Sequence, residues 1–260
     1  MITIGSAQID AWIAAYFFPL ARILGFIASV PIWSSASIPI RVKIMLGIGI
    51  TVAIAPILPA LPNVQVGTLK GLAILVEQML IGIAIGFAAK IVFASIDLAG
   101  EYIGFQMGLN FATFYDPLNS SQTPVTTEFI SLLGLLVFLS INGHLMFVAT
   151  LAHSFSAMPI GGAFFSSSVW TSLAQLGAKI FATGLLLALP VVVALMIINI
   201  ALGVLTRAAP QLNLFALGFP LTLTGGFITL ALSLNYLATP LQHLFEFAVE
   251  AMLGMSQAHP

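Results

Sequence analysis

The chain has 260 residues, of which 60% are hydrophobic and 6% charged, whereas soluble globular domains carry about a quarter charged residues. That composition excludes a soluble domain and defines an integral membrane protein. A net charge of −1 removes the electrostatic case for nucleic acid, and the absence of cysteine excludes disulfides, thiolate catalysis and Cys-based metal sites.

Residues 1–10 contain no Lys or Arg and end in Asp10, so they lack the basic start of a secretory signal, and the first apolar run is expected to be mature structure. That run predicts a helix from Ile9 to Val30, stopped by Pro31 and the Ser34 to Pro39 segment. Its only charge, Arg22, sits in mid-run and requires a protein partner or a snorkelling geometry. Arg41 and Lys43 form the densest basic cluster and point to the cytoplasmic side by the positive-inside rule. The run from Ile44 to Leu58 is short for a span, which takes about 20 residues, and Pro56, Pro59 and Pro62 end it.

From Leu69 to Gly104 no proline interrupts the chain, which as one helix would reach about 54 Å. It carries Glu77, Lys90, Asp97 and Glu101, an expensive set against lipid. Helical geometry puts Lys90, Asp97 and Glu101 on one face and Glu77 well round the helix. Asp97 and Glu101, one turn apart, repel mildly and need a cationic or hydrogen-bonding partner from elsewhere, and the pair is expected to be buried. Gly82 and Gly86, then Gly100, Gly104 and Gly108, have the spacing of small residues that lets helix backbones approach. Chance spacing is a fair alternative for the first pair and a weaker one for the triplet.

Residues 104–124 break this hydrocarbon run with a mixture of Phe105, Phe111, Phe114 and Tyr115 with Gln106, Asn110 and Asp116. Neither water nor lipid favours that mixture, which suits a loop packed on protein or lining a cavity, with an interfacial turn as the alternative. Thr123 is expected to cap the next helix, with Pro124 at its first position and Glu128 near its positive end. That helix is expected to run to about Ala157, carrying a polar knot at Ser140 to His144 that serves interhelical hydrogen bonding. His144 and His153 point to opposite faces of one helix and cannot jointly hold a metal. No catalytic triad, carboxylate pair or phosphate-cradling loop can be placed, so no catalytic, metal or cofactor residue is expected.

Trp170 to Arg207 is a further overlong apolar run with Lys179 near its start and Pro190 as a kink. A polar break after Arg207 precedes a run from Phe215 to about Thr239, and beyond Pro240 the tail reads as a separate amphipathic helix. The prediction is an all-α membrane protein of about six long, partly kinked helices in a single domain: N-terminal helices over 1–104, a central loop over 105–124 and C-terminal helices over 125–260. The chain has no convincing internal repeat.

Three motifs, Gly104-Phe-Gln-Met-Gly-Leu-Asn-Phe-Ala-Thr-Phe-Tyr-Asp-Pro117, Asn142-Gly-His-Leu145 and Pro210-Gln-Leu-Asn-Leu-Phe-Ala-Leu-Gly-Phe-Pro220, together resemble the flagellar biosynthetic protein FliR family of the type III secretion export gate. The layout of Arg22, Pro31 and Pro39 to Lys43 looks like that family's N-terminal end, so the likeness covers essentially the whole chain. The resemblance implies a subunit of the bacterial inner membrane and flagellar basal body, assembled with FliP and FliQ homologues beside FlhA and FlhB, through which unfolded flagellar proteins pass. It implies helical hairpins wound into a cone, with much of the cone above the bilayer plane, and a central loop contributing to a plug. Carried over by motif, the plug comprises Gly108, Leu109, Asn110, Phe111, Phe114, Tyr115, Asp116 and Pro117, with Asn110 standing where the family often has serine. Gly100 and Gly104 are then packing residues, and Arg22, Glu77, Lys90, Asp97, Glu101 and Arg207 are assembly charges. Two alternatives are a secondary transporter using its intramembrane charges, which usually shows inverted repeats, and the injectisome counterpart of the same gate.

Overall fold

The computed structural model describes residues 6–59, 64–109, 124–162, 167–209 and 214–257. Among them there are eight α-helices: α1 (Ser6–Ser29), α2 (Pro31–Ser34), α3 (Ile40–Ile54), α4 (Leu69–Met107), α5 (Val125–Ser140), α6 (Gly143–Ala157), α7 (Ser167–Ala208) and α8 (Leu214–Gln257). A 3-10 turn, Ala55–Ile57, follows α3. Among the described residues five stretches are long and apolar enough to cross a membrane: Trp12–Ser29, Ile40–Ile57, Leu69–Met107, Ala174–Ala208 and Leu217–Gly254, with α5 and α6 together forming a sixth if their broken pair counts as one span. The 39 residues of α4 reach about 58 Å, almost twice the roughly 30 Å of a hydrocarbon core.

Several sequence expectations need correction. The helix α4 continues through Met107, so the break begins at Gly108, three residues beyond the expected loop start after Gly104. At the next start Pro124 is the N-cap of α5 and Val125 its first residue, one position later than expected, and Thr123 lies outside the described residues. Glu128 is in the first turn, as the charge logic requires. The polar knot does not sit inside one helix: α5 ends at Ser140 and α6 starts at Gly143. Asn142 adopts φ 57°, the left-handed conformation that Asn tolerates better than most residues, and its carbonyl accepts the amides of Leu145 and Met146 at 2.9 and 3.1 Å. The Nδ1 of His144 is buried and has no hydrogen-bond partner among the described residues. Finally, α8 runs unbroken through Pro220 and Pro240 and absorbs the tail that reads as a separate helix in the sequence. A proline inside a helix removes one ladder bond, and apolar packing of the flanking turns, with Leu237, Leu241 and Phe245 buried, keeps the helix continuous.

The chain sorts into two compact units. The first comprises residues up to Ile91, Asn142–Gly177 and the end of the chain from Glu246, and contains α1, α2, α3, the first part of α4, and α6. Here α1 packs on α3 and on α4 through glycines. A Cβ on Gly25 would stand 2.5 Å from the Met79 carbonyl, one on Gly82 would overlap the Arg22 carbonyl, and one on Gly86 would lie 2.7 Å from the Ser29 Cβ. Gly82 and Gly86 are therefore contact residues, and chance spacing does not describe them. Phe26 and Trp33 stack obliquely at 5.7 Å, holding α2 against α1.

The second unit comprises Val92–Ile141 and Ala178–Phe245, that is, the remainder of α4, α5 and most of α7 and α8. Its core centres on Phe93, Phe138 and Phe245, whose ring centroids are 5.0 to 5.7 Å apart in tilted and edge arrangements. A Cβ on Gly100 would run into the backbone of Thr127, and one on Gly184 would stand 2.9 Å from the Ser95 carbonyl, so these glycines draw α5 and α7 onto α4. The hydroxyl of Thr183 donates to that of Ser95 at 2.9 Å across the same contact.

Candidate functional site

The charge that the sequence leaves in mid-helix is enclosed. Arg22 is fully buried, and its guanidinium uses its fork on Gln78 of α4, Ser154 of α6 and Met158, the C-cap of α6. Nε donates to Gln78 Oε1 at 2.8 Å, Nη1 to the Ser154 carbonyl at 2.9 Å and to Ser154 Oγ at 3.1 Å, and Nη2 to the Met158 carbonyl at 2.8 Å. The guanidinium carbon stands 4.2 Å over the ring of Phe155. Both carbonyls stand at the C-terminal end of α6, where the helix carries partial negative charge; that of Ser154 also accepts the Met158 amide, and Arg22 serves there as a cap contributed by another helix. Because guanidinium only donates, Gln78 must turn its oxygen toward it, which leaves the buried Nε2 without a partner among the described residues. Glu77, half-buried next to Gln78, adds an attractive field. Glu77 and Arg22 attract one another, while the hydrogen-bonding partners that Arg22 requires, Gln78, Ser154 and Met158, lie within the chain.

The remaining charges face outward. Lys90, Asp97 and Arg207 are exposed, and Glu101 is half-buried. In the single chain the side of α4 carrying Asp97 is open. Asp97 accepts a hydrogen bond from the hydroxyl of Ser131 on α5, so the hydrogen-bonding partner it needs is supplied locally. Arg207 lies in the last turn of α7, where a cation complements the helix dipole.

The end of α4 is built with equal care. Gly108 has φ 81°, its amide donates to the Phe105 carbonyl at 3.1 Å, and the Leu109 amide donates to the Gly104 carbonyl at 3.0 Å. This is the paired closure of a helix C-terminus that favours glycine at its left-handed position. Gly104 is buried, and Gly100 is in close contact with α5. The expected plug residues Asn110, Phe111, Phe114, Tyr115, Asp116 and Pro117 lie outside the described residues.

Sequence reasoning misses the partners of these groups. Gln78, Ser154 and Met158 lie 56 to 136 residues from Arg22, and Ser131 is 34 from Asp97, separations over which local pattern carries no signal. Only the buried-charge rule indicates that such partners exist.

Overlong apolar helices, packed through glycines, with one deeply buried cation among the described residues that is capped internally, define a polytopic helical membrane protein. The family described as Bacterial export proteins, family 1, matches residues 13–248. The chain is 45% identical over 245 residues to the flagellar biosynthetic protein FliR of Escherichia coli (strain K12), covering 94% of each chain. It is 42% identical to the FliR of Pectobacterium carotovorum, again over 94% of each, and 26% identical to that of Bacillus subtilis over 93% of this chain and 94% of that one. The chain belongs to the FliR family of bacterial export proteins. It is a membrane component of the flagellar type III export apparatus.

Proposed function

We propose that the chain is a core gate subunit of that apparatus in the bacterial inner membrane, assembled with FliP and FliQ homologues beside FlhA and FlhB, and that it acts as a passage and a seal rather than as an enzyme. Unfolded flagellar proteins are its cargo. One observation supports this reading most: the long central helix α4 ends in a turn at Gly108, directly before an aromatic-rich stretch that, with Gly104 to Met107, resembles the family's motif over Gly104 to Pro117. Packed Phe side chains exclude water and ions at rest and yield to a passing chain because no covalent or metal bond holds them. The exposed Lys90, Asp97 and Arg207 supply charges through which other subunits are bound.

The test is deletion of residues 110–116, or the pair Phe111→Ala with Phe114→Ala, in cells that also make FliP and FliQ. The variant is expected to co-purify with both as one homogeneous particle while the membrane becomes leaky to small ions, because a wetted constriction conducts. A tight membrane around an assembled variant would place the seal elsewhere, and a chain that forms a homogeneous particle without FliP and FliQ would refute the gate-subunit reading.

A further inference from the structure

The Gly225-Gly226 pair on α8 does more than thin a helix. A Cβ on Gly226 would stand 2.5 Å from Met107 Cγ and 2.8 Å from its Sδ and Cε, so the whole end of the Met107 side chain occupies the space a larger residue would need. On its neighbour Gly225, a Cβ would lie 2.6 Å from Ile198 Cδ1 of α7. The adjacent glycines thus form a notch receiving one apolar knob from α4 and one from α7. Met107 is fully buried and is the last residue of α4. Its carbonyl, one of the four a helix end leaves unpartnered, receives a long 3.4 Å contact from the hydroxyl of Thr222, which also donates to its own helix at Phe219 at 3.0 Å. Thr222 lies one turn before Gly226, so α8 packs against the side chain of Met107 and lies close to its backbone. The next residue is Gly108, whose φ of 81° turns the chain out of the helix.

We propose that Met107 is a positioning residue of the gate: seated in the Gly226 notch, it lets α8 set the direction in which the chain leaves α4 at Gly108. The flexible thioether suits a contact that must be filled yet be able to reseat. The part of α8 that holds it is also its weakest stretch, since Pro220 removes a ladder bond and Gly225 and Gly226 are poor helix formers, all within two turns. A distortion of α8 there moves the notch, and with it the exit from α4. This deepens the seal reading and rests on it, because direction at Gly108 matters to export only if the aromatic motif beyond it contributes to closure.

The test is a size exchange in cells making the full complex. Gly226→Leu drives a side chain into the space Met107 fills, and loss of export, read as loss of motility, is expected. Adding Met107→Ala empties that space, so the double variant is expected to regain motility; a double variant no better than Gly226→Leu overturns the lock. Should Gly226→Leu fail to accumulate, recovery of the assembled complex in the double variant supports the lock and its failure overturns it. Met107→Ala alone, shown to be assembled, is expected to leak ions while Met107→Leu stays tight. An assembled and tight Met107→Ala complex would reduce Met107 to a packing residue and overturn the positioning role. The deletion of 110–116 reports on the seal itself, so failure of that reading is distinguishable from failure of the lock.

Discussion

Replacing Arg22 by Met keeps most of the apolar stem and removes the charge and its fork, which isolates what the network contributes. Ser154 keeps other bonds, because its carbonyl still accepts the Met158 amide at 2.9 Å and its hydroxyl donates to Leu151 at 2.7 Å. The Met158 carbonyl and Gln78 Oε1 lose the guanidinium bonds, and orphaned buried acceptors cost about 1–3 kcal/mol each, so the loss should be about 4 kcal/mol. For a chain of this size about 1 kcal/mol moves a melting midpoint by roughly 2–4 °C, which predicts a drop of about 8–16 °C. The assay is the thermal aggregation midpoint of the purified complex at one fixed scan rate, with parent and variant compared side by side because such unfolding is irreversible. Amide exchange at the end of α6, around Ser154 to Met158, should accelerate in the same variant. Arg22→Lys should recover only part of the loss, since an ammonium cannot span Gln78, Ser154 and Met158 as the planar fork does. An Arg22→Met complex that melts within about 2 °C of the parent would refute the reasoning, because an unmet pair of acceptors cannot be that cheap.

Two further outcomes rest on the packing and the charges. Gly82→Leu should abolish the folded chain in the membrane, because the Arg22 carbonyl it would overlap is backbone and cannot yield, whereas Gly49→Leu, with nothing within 4 Å, should be tolerated; equal yields of both on immunoblots of membranes would contradict the close approach of α1 and α4. Asp97→Leu and Asp97→Asn should both lower co-purification with FliP and FliQ if the exposed carboxylate pairs with a cation of another chain, while wild-type recovery with Asn would mean that its role ends at the Ser131 hydroxyl.

Much of the helix map was legible because few things end an apolar helix. Pro31 stops α1 just after Ser29, and the proline-free run from Leu69 forms a single helix whose length the sequence foretold to within three residues. The errors fall where local signals conflict. Asn142-Gly143 is a turn dipeptide, but the unbroken apolar flanks outweigh it, and only the left-handed φ of Asn142 reveals the break. Pro240 reads as a terminus, yet the buried Leu237, Leu241 and Phe245 hold the helix through it. Of the candidate site, the need of Arg22 for partners was legible while their identity was not, because desolvation is a property of one residue and its relief is a property of the fold. The notch at Gly226 is of the second kind: the glycine pair is visible in sequence, but nothing near it names Met107.

The apolar surface of α4 carries the last step toward an assembled state. Large apolar side chains are exposed along its first half, at Leu69, Leu72, Val76, Met79 and Phe87, a stretch of about 27 Å that a hydrocarbon core of about 30 Å covers. Beyond Phe87 the exposed side chains are the charges Lys90 and Asp97, and then Phe105, which is 62% exposed. Water is an unfavourable neighbour for that ring, at about 25 cal/mol per Å2 of apolar surface, and lipid is one for the two charges. In the gate proposed above, the expected cover for Lys90, Asp97 and Phe105 is therefore protein from a neighbouring subunit.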